Sequence, residues 1–216
     1  KPTPMIFERG AGTRLFTAAG RSYLDFAAGI ATVALGHCHP EVVAALKAQA
    51  DKLWHVSNYF RIPGQEGLAG KLCGASFADK VFFTNSGTEA IECSLKVARK
   101  YFSHSGQAGR WRVIVAEGAF HGRSLAACAA SGQPKMLDGF GPATPGFDRV
   151  PFGDLAAAAE DVTAETDAGA SCCAELALPM RKSAKAFPVV PPLKLKDPKL
   201  VRLATFCDLS DRKSVV

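Results

Sequence analysis

Val81-Phe82-Phe83-Thr84-Asn85-Ser86-Gly87-Thr88-Glu89-Ala90-Ile91-Glu92-Cys93-Ser94-Leu95-Lys96-Val97-Ala98-Arg99-Lys100 is the stretch whose reading decides the fold. An apolar run, a small polar hinge and a helical repeat follow one another, which predicts a strand feeding a helix through a tight turn. Ile91, Leu95, Ala98 and Phe102 recur at helical spacing and lay one apolar face on a sheet, with Glu92, Lys96 and Arg99 expected to face outward. At the hinge, Ser86, Gly87 and Thr88 place unpaired backbone N–H groups and two hydroxyls at the positive end of the helix, an arrangement that holds phosphate groups. The same tripeptide also serves as a plain N-cap, in which Ser86 or Thr88 only starts the helix. Taken alone it leaves both readings open.

Downstream, Trp111 to Ala116 is a β-rich run without alternation, as in a strand buried on both faces. Strand, helix, strand implies a parallel sheet. Glu117-Gly118-Ala119-Phe120-His121-Gly122-Arg123-Ser124 then forms a second polar and aromatic hinge, leading into a short helix over Leu125 to Ala130. In open parallel sheets ligands sit outside the carboxyl ends of the strands, so the hinges at Ser86 and Phe120 should face one crevice. Residues 132–147 read as a Gly- and Pro-rich loop, Asp148 to Phe152 as a short strand, and Asp154 as the cap of an alanine helix reaching Val162.

Upstream, Arg14 to Phe16 and Tyr23 to Phe26 flank Ala18-Ala19-Gly20 as a hairpin. Pro40 suits the first position of a helix running to about Leu53, whose apolar face is Val42, Val43, Leu46, Ala50 and Leu53. Pro63 opens a second helix that Gly64, Gly67 and Gly70 weaken. His37, Cys38 and His39 are adjacent, but successive side chains point apart and do not converge on one metal ion, so a turn before a helix is the better reading.

The chain has 216 residues, 48% hydrophobic and 21% charged, enough for one large domain or one plus a small appendage. No apolar run approaches the roughly 20 residues of a bilayer span, and Lys-Pro-Thr-Pro at the start lacks a signal peptide's apolar core. Seven cysteines without a Cys-x-x-Cys pair suggest reduced thiols. A soluble cytoplasmic protein is expected, and a first residue of Lys points to a start inside a longer reading frame. Residues 166–216 hold nine Lys or Arg against five Asp or Glu, so most of the net +6 lies there. The body is nearly neutral, with no basic stripe of interleaved aromatics, which disfavours nucleic acid as a partner.

Several of these segments resemble the class III (ornithine-type) pyridoxal-phosphate aminotransferases, most closely in the wording of the acetylornithine and succinylornithine enzymes. The resemblance rests on Tyr-Leu-Asp-Phe-Ala-Ala-Gly-Ile-Ala from Tyr23, Leu-Gly-His-Cys-His-Pro from Leu35, Asn-Ser-Gly-Thr-Glu-Ala from Asn85 and Ala-Phe-His-Gly-Arg-Ser-Leu from Ala119, with Gly-Gln-Pro-Lys and Gly-Phe-Gly-Pro following. It covers about Ile6 to residue 160. It implies an α/β fold of PLP fold type I, here incomplete, with a mostly parallel sheet, helices on its faces, and a homodimer with active sites at the interface. It implies pyridoxal 5'-phosphate as cofactor, and as substrates acetylornithine or a similar ω-amino donor with 2-oxoglutarate, in arginine biosynthesis. By position, Ser86, Gly87 and Thr88 match the family's phosphate cradle and Phe120 the aromatic stacked on the pyridine ring, while Arg123 matches the residue holding the substrate carboxylate. Asn58 and Tyr59 fall where the family lines its substrate entrance, and His121 reads as a hydrogen-bonder of the hinge rather than a base.

The resemblance implies that the covalent lysine and pyridinium carboxylate lie in segments reading Glu-Pro, Gly-Glu-Gly-Gly, Asp-Glu-Val and then Ser-Lys before Gly-Gly, and none of these occurs here. Lys182, Lys185, Lys194, Lys196, Lys199 and Lys213 stand in other contexts, and Asp208 has no adjacent Glu. The expected division is 1–60 as an N-terminal segment and linker, 61–165 as a partial cofactor-binding domain, and 166–216 as a tail foreign to the fold. Such a chain is expected to be truncated and inactive, or alternatively a non-catalytic piece that misfolds or associates with an intact subunit.

Overall fold

The computed structural model describes residues 4–57, 59–76, 78–162, 206–207 and 214–215. The expectations at Asn58 and over nearly all of 166–216 lie outside the described residues. Two compact units divide between Lys71 and Leu72.

In the first unit, β1 (Phe7–Ala11), β2 (Arg14–Thr17) and β3 (Ser22–Leu24) form an antiparallel meander in that order. The expected hairpin is β2–β3. β1 extends it, although Phe-Glu-Arg-Gly-Ala shows no clean alternation, and Arg9 lies 3.7 Å over the Phe16 ring. A turn, α1 (Ala28–Ala31), has positive φ at Ala28, Gly29, Ile30 and Ala31, a conformation that costs an ordinary residue roughly 1–2 kcal/mol. One carboxylate holds its entrance. Asp25 Oδ1 accepts from the Ala27 and Ala28 N–H groups at 3.0 and 2.9 Å, and Asp25 Oδ2 lies 2.7 Å from His37 Nε2. His37 is itself bridged to Gly12 through both backbone groups.

The His37 hydrogen bond, followed by the Ala28 N–H, holds the Asp25 carboxyl below its ordinary value of 3.8. A depressed folded-state value means that this contribution is fully present above the ordinary carboxylate range and is lost as pH falls through the folded value. Urea midpoints followed by Trp54 fluorescence in a Trp111→Phe background should therefore drop on acidification below about pH 4, and less so in Asp25→Asn. Equal acid sensitivity in the two proteins would refute the clasp.

α2 (Pro40–Ala50) starts at Pro40 as expected and stops short of Leu53. Its apolar stripe is not covered among the described residues: Val42 is 53% exposed and Leu46 69%. An amphipathic period fixes which face needs a partner, not where the partner comes from. α3 (Pro63–Ala75) is an unbroken 13-residue helix despite its glycines.

The second unit contains α4 (Gly87–His104), β4 (Val113–Ala116), α5 (Leu125–Ala130), a 3-10 turn over Pro134–Met136, β5 (Phe147–Val150) and α6 (Leu155–Glu160). β4 and β5 pair in parallel, Val113 opposite Phe147 through Ala116 opposite Val150. All four residues of β4 are buried, as its uniformly apolar sequence predicts. Ile91 and Leu95 of α4 and Ala127 and Ala130 of α5 pack on Val113 and Val115. Burial of Ile91 and Leu95 contributes roughly 2 kcal/mol each. Arg112 forks onto the carboxylate of Asp148 in β5, with Nε to Oδ2 at 3.0 Å. Asp154 caps α6 as expected, accepting from the Ala156 and Ala157 N–H groups at 3.1 and 3.0 Å.

The expected strand at Val81–Phe83 needs correction. Only Phe83 forms a bridge there, and Phe82 is 58% exposed. A strand exists only where a neighbour supplies a ladder, and Val81 and Phe82 have none among the described residues. The parallel pair instead joins the second and third strand segments of the reading. Phe206–Cys207 and Ser214–Val215 pair antiparallel as two short strands, β6 and β7. No helix among the described residues is long and apolar enough to cross a membrane.

Candidate active site

The hinge before α4 folds as a variant of the capping box, its return bond displaced by one residue. Ser86, extended at φ −154° and ψ 161°, accepts the Glu89 N–H on its hydroxyl at 3.2 Å, and the Glu89 carboxylate reaches back to the Asn85 N–H at 2.7 Å. The two readings of the tripeptide therefore coexist: Ser86 is a true N-cap. The Gly87 and Thr88 amides, at the first two helical positions, keep no hydrogen-bond partner among the described residues. Two free N–H groups at the positive end of an 18-residue helix suit an anion.

The second hinge leaves the carboxyl end of β4 and comes to this helix end at Gly122. With φ at +116°, Gly122 approaches Thr88 so closely that a Cβ built on it would stand 2.8 Å from Thr88 Cβ and 2.9 Å from Cγ2. One turn along α4, the Ser124 hydroxyl donates to Glu92 Oε1 and accepts the Ala127 N–H at 3.3 Å, capping α5. Glu92 thus does not face outward as its helical position suggested; its long side chain reaches across to the hinge. Arg99 is likewise engaged, donating to the Trp111 and Pro145 carbonyls at 3.2 and 3.4 Å. The convergence of the two hinges is a structural fact, carried by the Thr88–Gly122 and Glu92–Ser124 contacts.

Around those contacts the hinge presents two open side chains, one before Gly122 and one after it. Phe120 is 62% exposed, and Arg123 is exposed with no ion pair among the described residues. His121 is turned inward, buried to 5% exposure. Burial pushes its imidazole below the ordinary value of 6.5, so the ring is neutral at pH 7. Its backbone N–H donates to Ser131 Oγ at 3.0 Å, whereas its Nε2 has no partner among the described residues. The hydrogen bond expected of this residue is made by its main chain. Tyr59 lies in the first unit and is largely exposed.

Sequence reasoning gave no site role to Gly122, Glu92 or the Ser131–Gln133 corner. Gly122 was legible only as part of Phe-His-Gly-Arg, because a glycine required by close approach looks like any other glycine until its neighbour is known. Glu92 lies on the polar side of a helical projection that ignores side-chain reach.

A family model described as aminotransferase class-III matches residues 1–186, past the division expected at 165. Over 165 residues the chain is 59% identical to an acetylornithine aminotransferase of Agrobacterium fabrum, covering 76% of this chain and 41% of that protein. An acetylornithine aminotransferase of Neisseria meningitidis is 44% identical over 185 residues, covering 86% of this chain and 45% of that protein. The chain thus spans about two-fifths of the length of these relatives. Among solved structures, the ornithine aminotransferase of Toxoplasma gondii superposes with a TM-score of 0.69 at 32% identity, over 74% of this chain and 38% of that one. A structure of the same enzyme crystallised with oxidised glutathione has PLP at partial occupancy in its active site. The parallel β4–β5 pair with its covering helices is therefore part of the α/β architecture of those enzymes, fold type I. Two hinges meeting at one helix end, a family model spanning most of the chain and relatives this similar agree: the chain belongs to the class-III aminotransferases.

Proposed function

We propose that this chain carries the cofactor-phosphate and ring-binding part of a pyridoxal-phosphate transaminase whose amino donor is acetylornithine and whose acceptor is 2-oxoglutarate, in a cytoplasmic homodimer of arginine biosynthesis. The observation that carries the proposal is the meeting of the two hinges. The Gly87 and Thr88 amides have no partner among the described residues, and Gly122, which packs on Thr88, lies two residues after Phe120 and next to Arg123 in the chain. Pyridoxal phosphate, when bound, supplies the electron sink for amino-group transfer.

Each residue then has a separate task. Gly87 and Thr88 offer main-chain N–H groups to the phosphate, and Ser86 fixes their direction by capping α4. The exposed face of Phe120 would stack on the pyridine ring and keep water from it. The free guanidinium of Arg123 binds a carboxylate through two parallel N–H bonds, which a lysine cannot do. None of these groups makes a covalent bond or moves a proton in the reaction. The lysine and carboxylate of the family's chemistry have no counterpart in this sequence, so we infer that the chain by itself binds cofactor without turnover.

Mixing the purified 216-residue chain with pyridoxal phosphate, acetylornithine and 2-oxoglutarate should give saturable cofactor binding and no glutamate. Measurable glutamate, or cofactor fixed by borohydride on one defined lysine, would overturn the second half of the proposal. A second reading, favoured by the exposed Val42, Leu46, Leu53 and Trp54, is a non-catalytic piece that associates with an intact subunit. A well-folded monomer on size-exclusion chromatography counts against it.

A further inference from the structure

The corner Ser131-Gly132-Gln133, where α5 ends, touches the second hinge at three consecutive positions. Ser131 Oγ accepts from the His121 N–H at 3.0 Å while donating to the Ala127 carbonyl at 2.7 Å. Gly132, at φ +62°, lies against the start of the hinge. A Cβ there would stand 3.1 Å from the Ala116 carbonyl oxygen and 3.3 Å from Glu117 Cα and the Gly118 nitrogen. Gln133 Nε2 donates to the Ala119 carbonyl at 2.9 Å and to the Gly118 carbonyl at 3.4 Å. The main chain on both sides of Phe120 is thus held from one corner, while the Phe120 ring stands open.

We propose that Gln133 is a positioning residue for Phe120. Its carboxamide nitrogen carries two N–H donors, enough for one to each of two successive carbonyls, and so fixes the peptide planes that set the direction of the ring. The hinge has other supports for its fold, in Ser131, Gly122 and Ser124, and both carbonyls can turn to water when Gln133 is truncated. What Gln133 adds is angle: a stacking ring gains from a fixed plane and loses that gain when it samples many. The inference rests on Phe120 being the ring-stacking residue.

The test uses the full chain and pyridoxamine 5'-phosphate, which lacks the aldehyde that would react with surface lysines. Equilibrium dialysis compares wild type, Phe120→Ala, Gln133→Ala and the double variant, with far-ultraviolet circular dichroism verifying equal folding. Phe120→Ala and Gln133→Ala should each weaken binding about threefold to tenfold, and the double variant should bind no worse than Phe120→Ala. A Gln133→Ala chain that binds like wild type while Phe120→Ala is weakened overturns the positioning role alone, as do two effects that multiply. Binding unchanged by Phe120→Ala, or no saturable binding by wild type, overturns the stacking role and this inference with it.

Discussion

Replacing Gly122 by alanine is expected to lower stability by about 3 kcal/mol and to abolish cofactor binding under conditions where the chain remains folded. Two separate causes add. At φ +116° a side chain is strained wherever it has space, which costs on the order of 1–3 kcal/mol. Here it has no space either, because Thr88 occupies the position a Cβ would take, and relieving that overlap costs a further 1–3 kcal/mol or so. Thr88 heads α4, so relief moves the amides proposed to hold the phosphate. Gly118→Ala is the internal control: its φ is +71° with nothing near a built Cβ, leaving only the conformational cost. Gly109→Ala, with ordinary φ and open surroundings, should be close to neutral. In thermal denaturation Gly122→Ala should fall several degrees below Gly118→Ala. If the two coincide, and both bind pyridoxamine 5'-phosphate like the parent, the close approach of the hinges has no energetic weight.

Features set by local chemistry were legible in the sequence. The period of Ile91, Leu95, Ala98 and Phe102 marks the buried face of α4, and all four are buried. The uniformly apolar Val-Ile-Val-Ala marks a strand covered on both faces. Ser86 and Asp154 act as the caps their positions before helical repeats imply. Features set by distant partners were not legible. Val81-Phe82-Phe83 has strand composition, yet among the described residues it has no ladder, only the bridge at Phe83. The left-handed turn over Ala28–Ala31 uses Ala28, Ile30 and Ala31, residue types that seldom take positive φ, with Asp25, braced by His37, holding its entrance. The convergence of the hinges was foreseeable in outline from the rule that sites lie beyond the carboxyl ends of parallel strands. The contacts that make it, Gly122 on Thr88 and Ser124 on Glu92, depend on side-chain reach and on the absence of a Cβ, neither of which a pattern of residue types records.

Main-chain donors cannot be removed by substituting a side chain, so the phosphate must be removed from the ligand instead. Charge-assisted hydrogen bonds are worth roughly 1.5–3 kcal/mol each, so even one bond made by the Gly87 and Thr88 amides should separate two otherwise identical ligands by about tenfold or more. Equilibrium dialysis of the full chain against pyridoxamine 5'-phosphate and against pyridoxamine makes that comparison. The phosphorylated ligand should bind at least about tenfold more tightly and be displaced by inorganic phosphate, as a cradle at the head of α4 requires. Equal affinity for the two ligands would contradict the cradle and leave the Ser86–Thr88 hinge as an ordinary helix cap.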